Sequence, residues 1–199
     1  DRKSGKRMAT SEGAAKHLNS GFFWKGKLLC AHSNYPFKPE RSEIKVLDVA
    51  SMKLTTFKDF GSADGSLTWV LRKDGFWWCN FALYGVDNHK TFLAKYDERR
   101  REVARWTYSK KVISQLGRHS LSGGIWRGEE LWTTGHDDPV AFRLSLPKEG
   151  GELEYLGQHA VPFTGQGLAN DPVTGGLVGI SRAKRQVIFA VAKAEPVRL

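Results

Sequence analysis

The chain of 199 residues lacks most of the local features that place a sequence in a functional class. It has only two cysteines, Cys30 and Cys79, which are too few for a disulfide framework or a cysteine zinc site. It has no run of about 20 apolar residues, the length that a membrane-spanning helix needs. A phosphate-binding glycine loop, a Gly-x-Ser-x-Gly turn and a His-Glu-x-x-His motif are also absent. Function must therefore be sought in residues that the fold brings together.

Glycine and aromatic residues are abundant, whereas methionine is scarce. The chain holds 21 Gly, 7 Trp and 11 Phe but only 2 Met. Aromatic side chains favour strands and glycine favours tight turns, so this composition indicates β-structure rather than helix. Apolar residues make up 40% of the chain and charged residues 26%, which is the balance of a globular protein. We therefore expect a soluble all-β protein.

The net charge of +10 raises the question of a nucleic-acid or polyanion partner. The basic residues gather at 1–7, 98–105 and 182–185, in segments that have the composition of hairpin turns. A charge run in a solvated turn needs no partner, so we expect no nucleic-acid binding, with polyanion binding as the weakest alternative. The compartment is left open, because a periplasmic or secreted location requires an upstream signal peptide.

One motif, His-x-x-Ser-Gly-x-x-Trp, occurs twice, at His17–Trp24 and at His119–Trp126. Each copy is followed by a basic turn and an apolar run that ends near another histidine, His32 or His136. Self-similar segments of this kind indicate a repeat architecture. The Ser-Gly-x-x-Trp part suits an inner strand whose first residues are small and whose tryptophan fills the space between units. The histidine is not needed for that packing, so it is the part of the motif that can differ with function.

The repeat extends along the chain as four blocks. They span 17–60, 61–109, 110–162 and 163–199. Short antiparallel strands separated by turn signals are expected in each, up to four per block. Such blocks are typical of β-propeller blades, with Gly and Ser near the axis and Trp24, Trp69 and Trp126 packed between blades. The sequence therefore predicts one domain over 1–199, a β-propeller with about four blades of four antiparallel strands.

The closure of the ring allows two interpretations. Lys6–Glu12 reads as a strand, and the fourth block lacks an outer strand. Lys6–Glu12 could complete the fourth block, which gives four blades. Alternatively, 1–16 is the outer strand of a preceding blade, and we favour this five-bladed or larger protein because the Asp1 turn matches hairpins that follow an attached strand. A β-sandwich is the competing fold, and two helical turns are expected within Lys110–Gly117.

Polar residues are expected at one mouth of the propeller channel, where first strands begin and second strands end. Five of the six histidines fall at this face, and His159 does not. We predict catalytic roles for His17, His119, His136 and Asp137. We predict ligand-binding roles for His32, Asn34, Tyr35, Asn80, Tyr84, Arg118, Asp138, Gln166 and Arg182.

Imidazoles and carboxylates that converge on a funnel can hold a divalent metal or act as general acid and base. We name His17, His119 and His136 as candidate metal ligands, and no other cofactor is indicated. An arginine at the mouth suits a carboxylate or phosphate. A structural interpretation stays open, because a histidine at a blade edge can tie neighbouring blades, and His136–Pro139 has the composition of an Asx turn.

The segments Gly26–Tyr35, Ile44–Asp48, Phe92–Asp97 and Leu177–Arg182 resemble a bacterial family of β-propeller repeats. The resemblance covers nearly the whole chain as a repeat pattern. It implies a small propeller similar to glutaminyl cyclotransferases and to lactonase-like or gluconolactonase-like propellers, which place polar or metal sites at the channel mouth. None of their catalytic residues is carried over to a position in this sequence.

The functional expectation is a monomer that binds a small polar or anionic molecule at a His/Asp/Asn-lined channel mouth. Metal-assisted hydrolase, lyase or cyclising chemistry would follow if the protein is an enzyme. The alternative from a different class is a non-catalytic protein-interaction scaffold, which would present an apolar patch away from the mouth.

Overall fold

A computed structural model describes residues 1–148 and 150–191 of the chain, and β-strands dominate it. The strands are β1 (His17–Trp24), β2 (Lys27–Ser33), β3 (Ser42–Asp48), β4 (Lys53–Gly61), β5 (Ser66–Lys73), β6 (Phe76–Ala82), β7 (Phe92–Tyr96), β8 (Glu102–Tyr108), β9 (Gly123–Arg127), β10 (Glu130–Thr134), β11 (Val140–Ser145), β12 (Gly151–Ala160), β13 (Leu168–Asn170), β14 (Leu177–Ser181) and β15 (Gln186–Ala190). A short helix, α1 (Lys110–Ile113), and a 3-10 turn at Gly85–Lys90 lie between them. The expected all-β class is confirmed.

The strands form four antiparallel units in chain order. Unit 1 is β1–β4, unit 2 is β5–β8, unit 3 is β9–β12 and unit 4 is β13–β15. A parallel pairing between β8 and β12 joins units 2 and 3 into one eight-stranded sheet. The end strands of that sheet, β5 and β9, also contact each other. The sheet therefore curls back on itself.

Several strand ends differ from the sequence expectation. The sequence predicts a first strand over Ser20–Trp24, but β1 begins at His17, so the first histidine belongs to the strand itself. The fourth strand is predicted over Lys53–Phe57, but β4 continues to Gly61, and the helix predicted within Lys110–Gly117 is confined to Lys110–Ile113. The third strand of the last block is predicted over Gln186–Ala192, and residues 192–199 lie outside the described residues.

The expected strand Lys6–Glu12 does not form, so 1–16 is not an outer strand here. A strand needs a ladder of partners, and only Glu12 is paired, in one isolated bridge to Lys53 of β4. At the other end of the segment, the guanidinium of Arg2 donates to both carboxylate oxygens of Asp171, at 2.6 and 2.7 Å. Residues 1–16 therefore reach from unit 4 to the edge of unit 1 without completing either sheet.

The four inner strands β1, β5, β9 and β13 contact one another in that order, and β13 returns to β1. Glycine allows this close approach. A β-carbon at Gly124 of β9 would lie 2.7 Å from two ring atoms of Trp69, which is fully buried on β5. The glycine predicted in a thin inner strand, Gly124, and the tryptophan predicted between units, Trp69, therefore contact each other.

Three buried apolar clusters connect neighbouring units. One joins units 1 and 2 around Leu29 and Phe81, a second joins units 2 and 3 around Trp69 and Leu131, and a third joins units 3 and 4 around Phe163. Among the described residues, no such cluster joins unit 4 to unit 1. A cavity of 300 Å³ opens there instead.

None of the helices within 1–148 and 150–191 has the length and apolar character needed to cross a membrane.

Candidate functional site

Unit 3 places His119 and His136 side by side. His119 lies shortly before β9, and His136 lies two residues after the end of β10. These two strands are antiparallel neighbours, and the backbone N–H of Ser122 donates to the carbonyl of Thr134 at 2.9 Å, which extends their pairing toward the site. The two imidazole ring centroids are 4.0 Å apart. The equivalent ends of two paired strands therefore explain why residues 17 positions apart meet.

The carboxylate of Asp137 contacts both imidazoles. Its Oδ2 lies 3.0 Å from Nδ1 of His119, and its Oδ1 lies 2.5 Å from Nδ1 of His136. His119, His136 and Asp137 each offer one ligand atom within 4.8 Å of the others. We call these three residues the His-Asp-His cluster. The metal ligands expected from the sequence included His17, but the group that comes together contains Asp137 in its place.

Units 1 and 4 add His17, Gln166 and Arg182 beside this cluster. Nε2 of Gln166 lies 3.3 Å from Nε2 of His17, and Nη2 of Arg182 lies 3.4 Å from Nδ1 of His136. Arg182 is exposed, and no carboxylate in the described part of the chain lies within ion-pair distance of it. A cation with open hydrogen-bond donors therefore faces the histidines.

Tyrosine rings from units 1 and 2 continue the rim. Ring centroids are 5.8 Å apart between His17 and Tyr35, 4.9 Å between Tyr35 and Tyr84, and 6.4 Å between Tyr84 and His119. The rim thus passes through three units as a series of neighbouring rings. Together with Gln166 of unit 4, it surrounds the end of the inner strands where the histidines lie.

The electrostatics of the mouth favour the neutral forms of His17 and His136 and the charged form of Asp137. Burial lowers the pKa of His17, and Arg182 and His136 lower it further. Burial also lowers the pKa of His136, although its hydrogen bond to Asp137 opposes the shift. Burial tends to raise the pKa of Asp137, but the hydrogen bonds from His136 and His119 outweigh it and leave this pKa below its usual value. Neutral imidazoles can accept protons or bind metals.

His32 belongs to a hydrogen-bond and ion-pair network within unit 1. Its Nε2 accepts the backbone N–H of Lys16 at 2.9 Å, and its Nδ1 lies 3.0 Å from Oε2 of Glu43. Glu43 is also paired with the buried Lys45 at 2.9 Å. His32 and Glu43 are direct cross-strand partners on β2 and β3. The structural interpretation therefore fits His32 better than the ligand role.

Two predicted asparagines make hydrogen bonds inside the fold. Asn80 is fully buried, where its Nδ2 donates to Thr68 at 2.8 Å and its Oδ1 accepts from the hydroxyl of Tyr108 at 2.7 Å. Asn34 closes the loop between β2 and β3, because its Oδ1 accepts the N–H of Arg41 and its Nδ2 donates to the carbonyl of Pro39. Both side chains therefore have hydrogen-bonding roles within the fold.

The remaining predicted residues divide between the surface and the edge of the site. Arg118 and Asp138 are exposed beside the His-Asp-His cluster in sequence. His89 is exposed in the 3-10 turn, where Nδ1 lies 2.9 Å from the carbonyl of Val86. His159 stacks on Trp132 at 5.1 Å, away from the mouth as expected.

Glu40 is a polar residue near the rim that the sequence did not single out. Its carboxylate accepts a hydrogen bond from the hydroxyl of Ser66, the first residue of β5. Tyr84 shares this environment: burial raises the pKa of Tyr84 to about 12, with a further contribution from Glu40. Glu40 follows Pro39 in a long loop, and nothing in that local sequence indicates where its side chain would lie.

Comparison with known proteins supports the fold and not an activity. No protein-family model matches the chain, and no curated protein sequence matches it. A protein of unknown function from Bacteroides caccae superposes with a TM-score of 0.51 over 86% of this chain, at 10% identity. The endosialidase of phage phi92 superposes with a TM-score of 0.51 over 81% of this chain, at 8% identity. This chain spans 59% and 30% of the lengths of these two proteins. The fold is therefore an all-β, propeller-like one.

Proposed function

We propose that the four units are propeller blades and that the mouth lined by His17, His119 and His136 binds a small anionic molecule. The observation that carries this proposal is Arg182. It is exposed and faces imidazoles rather than a carboxylate, at 3.4 Å from His136. A guanidinium presents donors in a fork that matches carboxylate or phosphate oxygens. An anionic group on the ligand would supply the acceptor that Arg182 lacks.

Other arginines of the chain support this contrast. The guanidinium of Arg143 forms a two-point pair with Glu130, and that of Arg105 forms one with Glu102. Arg143 and Arg105 thus each have a carboxylate partner among the described residues, which Arg182 does not. An unpaired arginine at a mouth of rings and imidazoles fits recognition better than fastening.

The His-Asp-His cluster would supply reactivity next to that anion site. Two imidazoles on one carboxylate can accept and return protons, because the carboxylate orients the rings and stabilises the charged form. Hydrolysis, elimination and cyclisation all need such proton transfers. We therefore propose that the cluster serves chemistry of one of these classes.

The gap between units 4 and 1 bears on the number of blades in the ring. Every other pair of neighbouring units shares a buried apolar cluster, whereas this gap holds a cavity of 300 Å³ lined by apolar side chains from both sides. They include Leu28 and Cys30 of unit 1 and Ile180 and Val187 of unit 4. A fifth blade in this gap would cover both faces, but it would separate β1 from β13 and His17 from Gln166, so the larger ring and the proposed mouth are alternatives.

A non-catalytic interaction scaffold is the second candidate. It is favoured by Phe23, which is 67% exposed beside a cavity of 500 Å³ at the other ends of the inner strands. Exposed apolar surface of this kind can mark a protein-binding site. Under this alternative, substitutions at Phe23 would impair partner binding and substitutions at Arg182 would not.

The proposed anion site is tested by screening sugar acids, hydroxy acids and sugar phosphates against their neutral counterparts, such as glucuronate against glucose. Thermal shift identifies binders, and calorimetry measures their dissociation constants. We expect anionic binders whose affinity falls about tenfold or more in Arg182→Gln and in His17→Gln. Arg99→Gln, in an exposed hairpin, is the matched control. Equal binding to wild type and Arg182→Gln would overturn the proposal.

A further inference from the structure

We propose that the His-Asp-His cluster binds one divalent first-row transition metal ion, with Zn²⁺ the expected occupant. His119, His136 and Asp137 would be its protein ligands. The ion would sit in the mouth described above, so this inference rests on the proposed function, but it predicts a measurable property that does not require the organic ligand.

The geometry of the cluster already approaches that of a metal site. Ligand atoms at about 2.0–2.2 Å from a tetrahedral ion lie about 3.3–3.6 Å from one another. The Nδ1 atoms of His119 and His136 lie 3.0 and 2.5 Å from the oxygens of Asp137, and all three ligand atoms fall within 4.8 Å. Shifts of about an ångström or less in these side chains would accommodate an ion.

The donor set selects the class of metal. Two imidazole nitrogens and one carboxylate oxygen suit Zn²⁺, Co²⁺, Ni²⁺ or Fe²⁺, whereas Ca²⁺ and Mg²⁺ prefer sites built from oxygen. Three protein ligands leave at least one position for water or for a ligand group, which is the pattern of catalytic rather than structural zinc. The cluster therefore resembles a reactive centre more than a structural clamp.

The fold holds the three ligands in place before any ion binds. His119 and His136 belong to segments at paired ends of β9 and β10, which the Ser122 to Thr134 hydrogen bond ties together. The side chain of His136 is only 12% exposed, which limits its rotation, while Asp137 is 47% exposed and open to the mouth. A site preformed in this way loses little conformational entropy on binding.

His17 stands outside the ligand set and keeps a different role. It contacts Gln166, and the structure groups the cluster without it. A divalent ion would add two positive charges next to the guanidinium of Arg182. An anionic ligand would offset that charge, and we therefore expect metal and anion to strengthen each other's binding.

The test uses the whole chain after treatment with a chelator. Zn²⁺ and Co²⁺ are titrated by calorimetry, and Co²⁺ is also followed by its visible absorption, which reports coordination number. We expect one equivalent of metal per chain. Binding should weaken about tenfold or more in His119→Gln and in Asp137→Asn, a nearly isosteric change. His89→Gln and His159→Gln are matched controls that should leave the affinity unchanged.

The outcomes separate this inference from the proposed function. Absence of stoichiometric binding, or equal affinity in wild type and both cluster variants, would overturn the metal site. Circular dichroism of each variant establishes that a loss of binding is not a loss of fold. Arg182→Gln should keep the metal and lose the anion. If the chelated wild type binds the anionic probe but no metal, the metal inference fails while the anion site stands.

Discussion

A β-carbon placed on Gly165 would lie 2.6 Å from the carbonyl oxygen of Gly135. It would also lie 2.7 Å from the Cα of His136. The loop that enters unit 4 thus packs backbone against backbone on the loop that carries the His-Asp-His cluster. Gly165 also has a φ of +22°, a conformation that other residues rarely adopt. This contact fixes how unit 4, with Gln166 and Arg182, is placed relative to His136.

Gly165→Ala should destabilise the protein by about 3 kcal/mol, because the new methyl group meets backbone that cannot rotate away. It should also weaken metal and anion binding, since His136 must shift. Urea unfolding measures the first effect and calorimetry the second. Gly128→Ala is the control: Gly128 has a φ of +59° with open space around it, so only about 1 kcal/mol of backbone strain is expected. Equal effects of the two substitutions would contradict the packing argument.

Tyr108→Phe should cost about 1–3 kcal/mol of stability, because it leaves the buried Oδ1 of Asn80 without a donor. Anion affinity should not change, since neither residue reaches the mouth. Tyr155→Phe removes a more exposed hydroxyl that donates to Gln158, and it should cost little. Urea unfolding curves and anion titrations of wild type, Tyr108→Phe and Tyr155→Phe measure these effects. If Tyr108→Phe left stability unchanged but weakened anion binding, Asn80 would have to be counted among the ligand-binding residues.

His32→Gln should make stability less dependent on pH between about 5 and 7. Burial lowers the pKa of His32 in the folded protein, despite the opposing effect of Glu43. The unfolded chain, with a histidine pKa of about 6.5, then binds more protons than the folded chain, so stability falls as the pH drops below that value. Glutamine does not titrate, and its side-chain oxygen can still accept an N–H. Urea midpoints across this range, with His89→Gln as control, measure the slope. Identical slopes in wild type and His32→Gln would rule out a titrating role for His32.

Patterns within a few residues were sufficient to predict the all-β class, most strands and the division into four units. The turn at Arg127-Gly128 and the thin inner strand at Gly124 are of this kind, because a short segment determines them. The cross-strand neighbours of a given side chain were harder to predict. The pairing of His32 with Glu43 across β2 and β3 was not foreseen, because it depends on a register that no local signal specifies.

The candidate site was predicted in its centre and less well at its edges. His119, His136 and Asp137 were named because two paired strands end beside them. Asn80 was named on the same argument, but its side chain points into unit 2, where its Oδ1 accepts a hydrogen bond from the hydroxyl of Tyr108. Glu40 was missed because its position depends on the path of a loop. The sequence therefore predicts which residues lie at strand ends better than it predicts the paths of loops or the directions of strand side chains.

The three apolar clusters connect the units as a line and not as a circle. Unit 4 has only three described strands and one cluster-sharing neighbour, so its opening disrupts less buried surface than the opening of unit 2, which shares clusters on both sides. Amide hydrogens of β13–β15 should therefore exchange with solvent sooner than those of β5–β8. Arg182 and Gln166 sit on the unit that loosens first, whereas the His-Asp-His cluster sits on one that is braced from both sides. Fluctuations of unit 4 would accordingly alter the anion-binding half of the mouth while the histidine half keeps its shape.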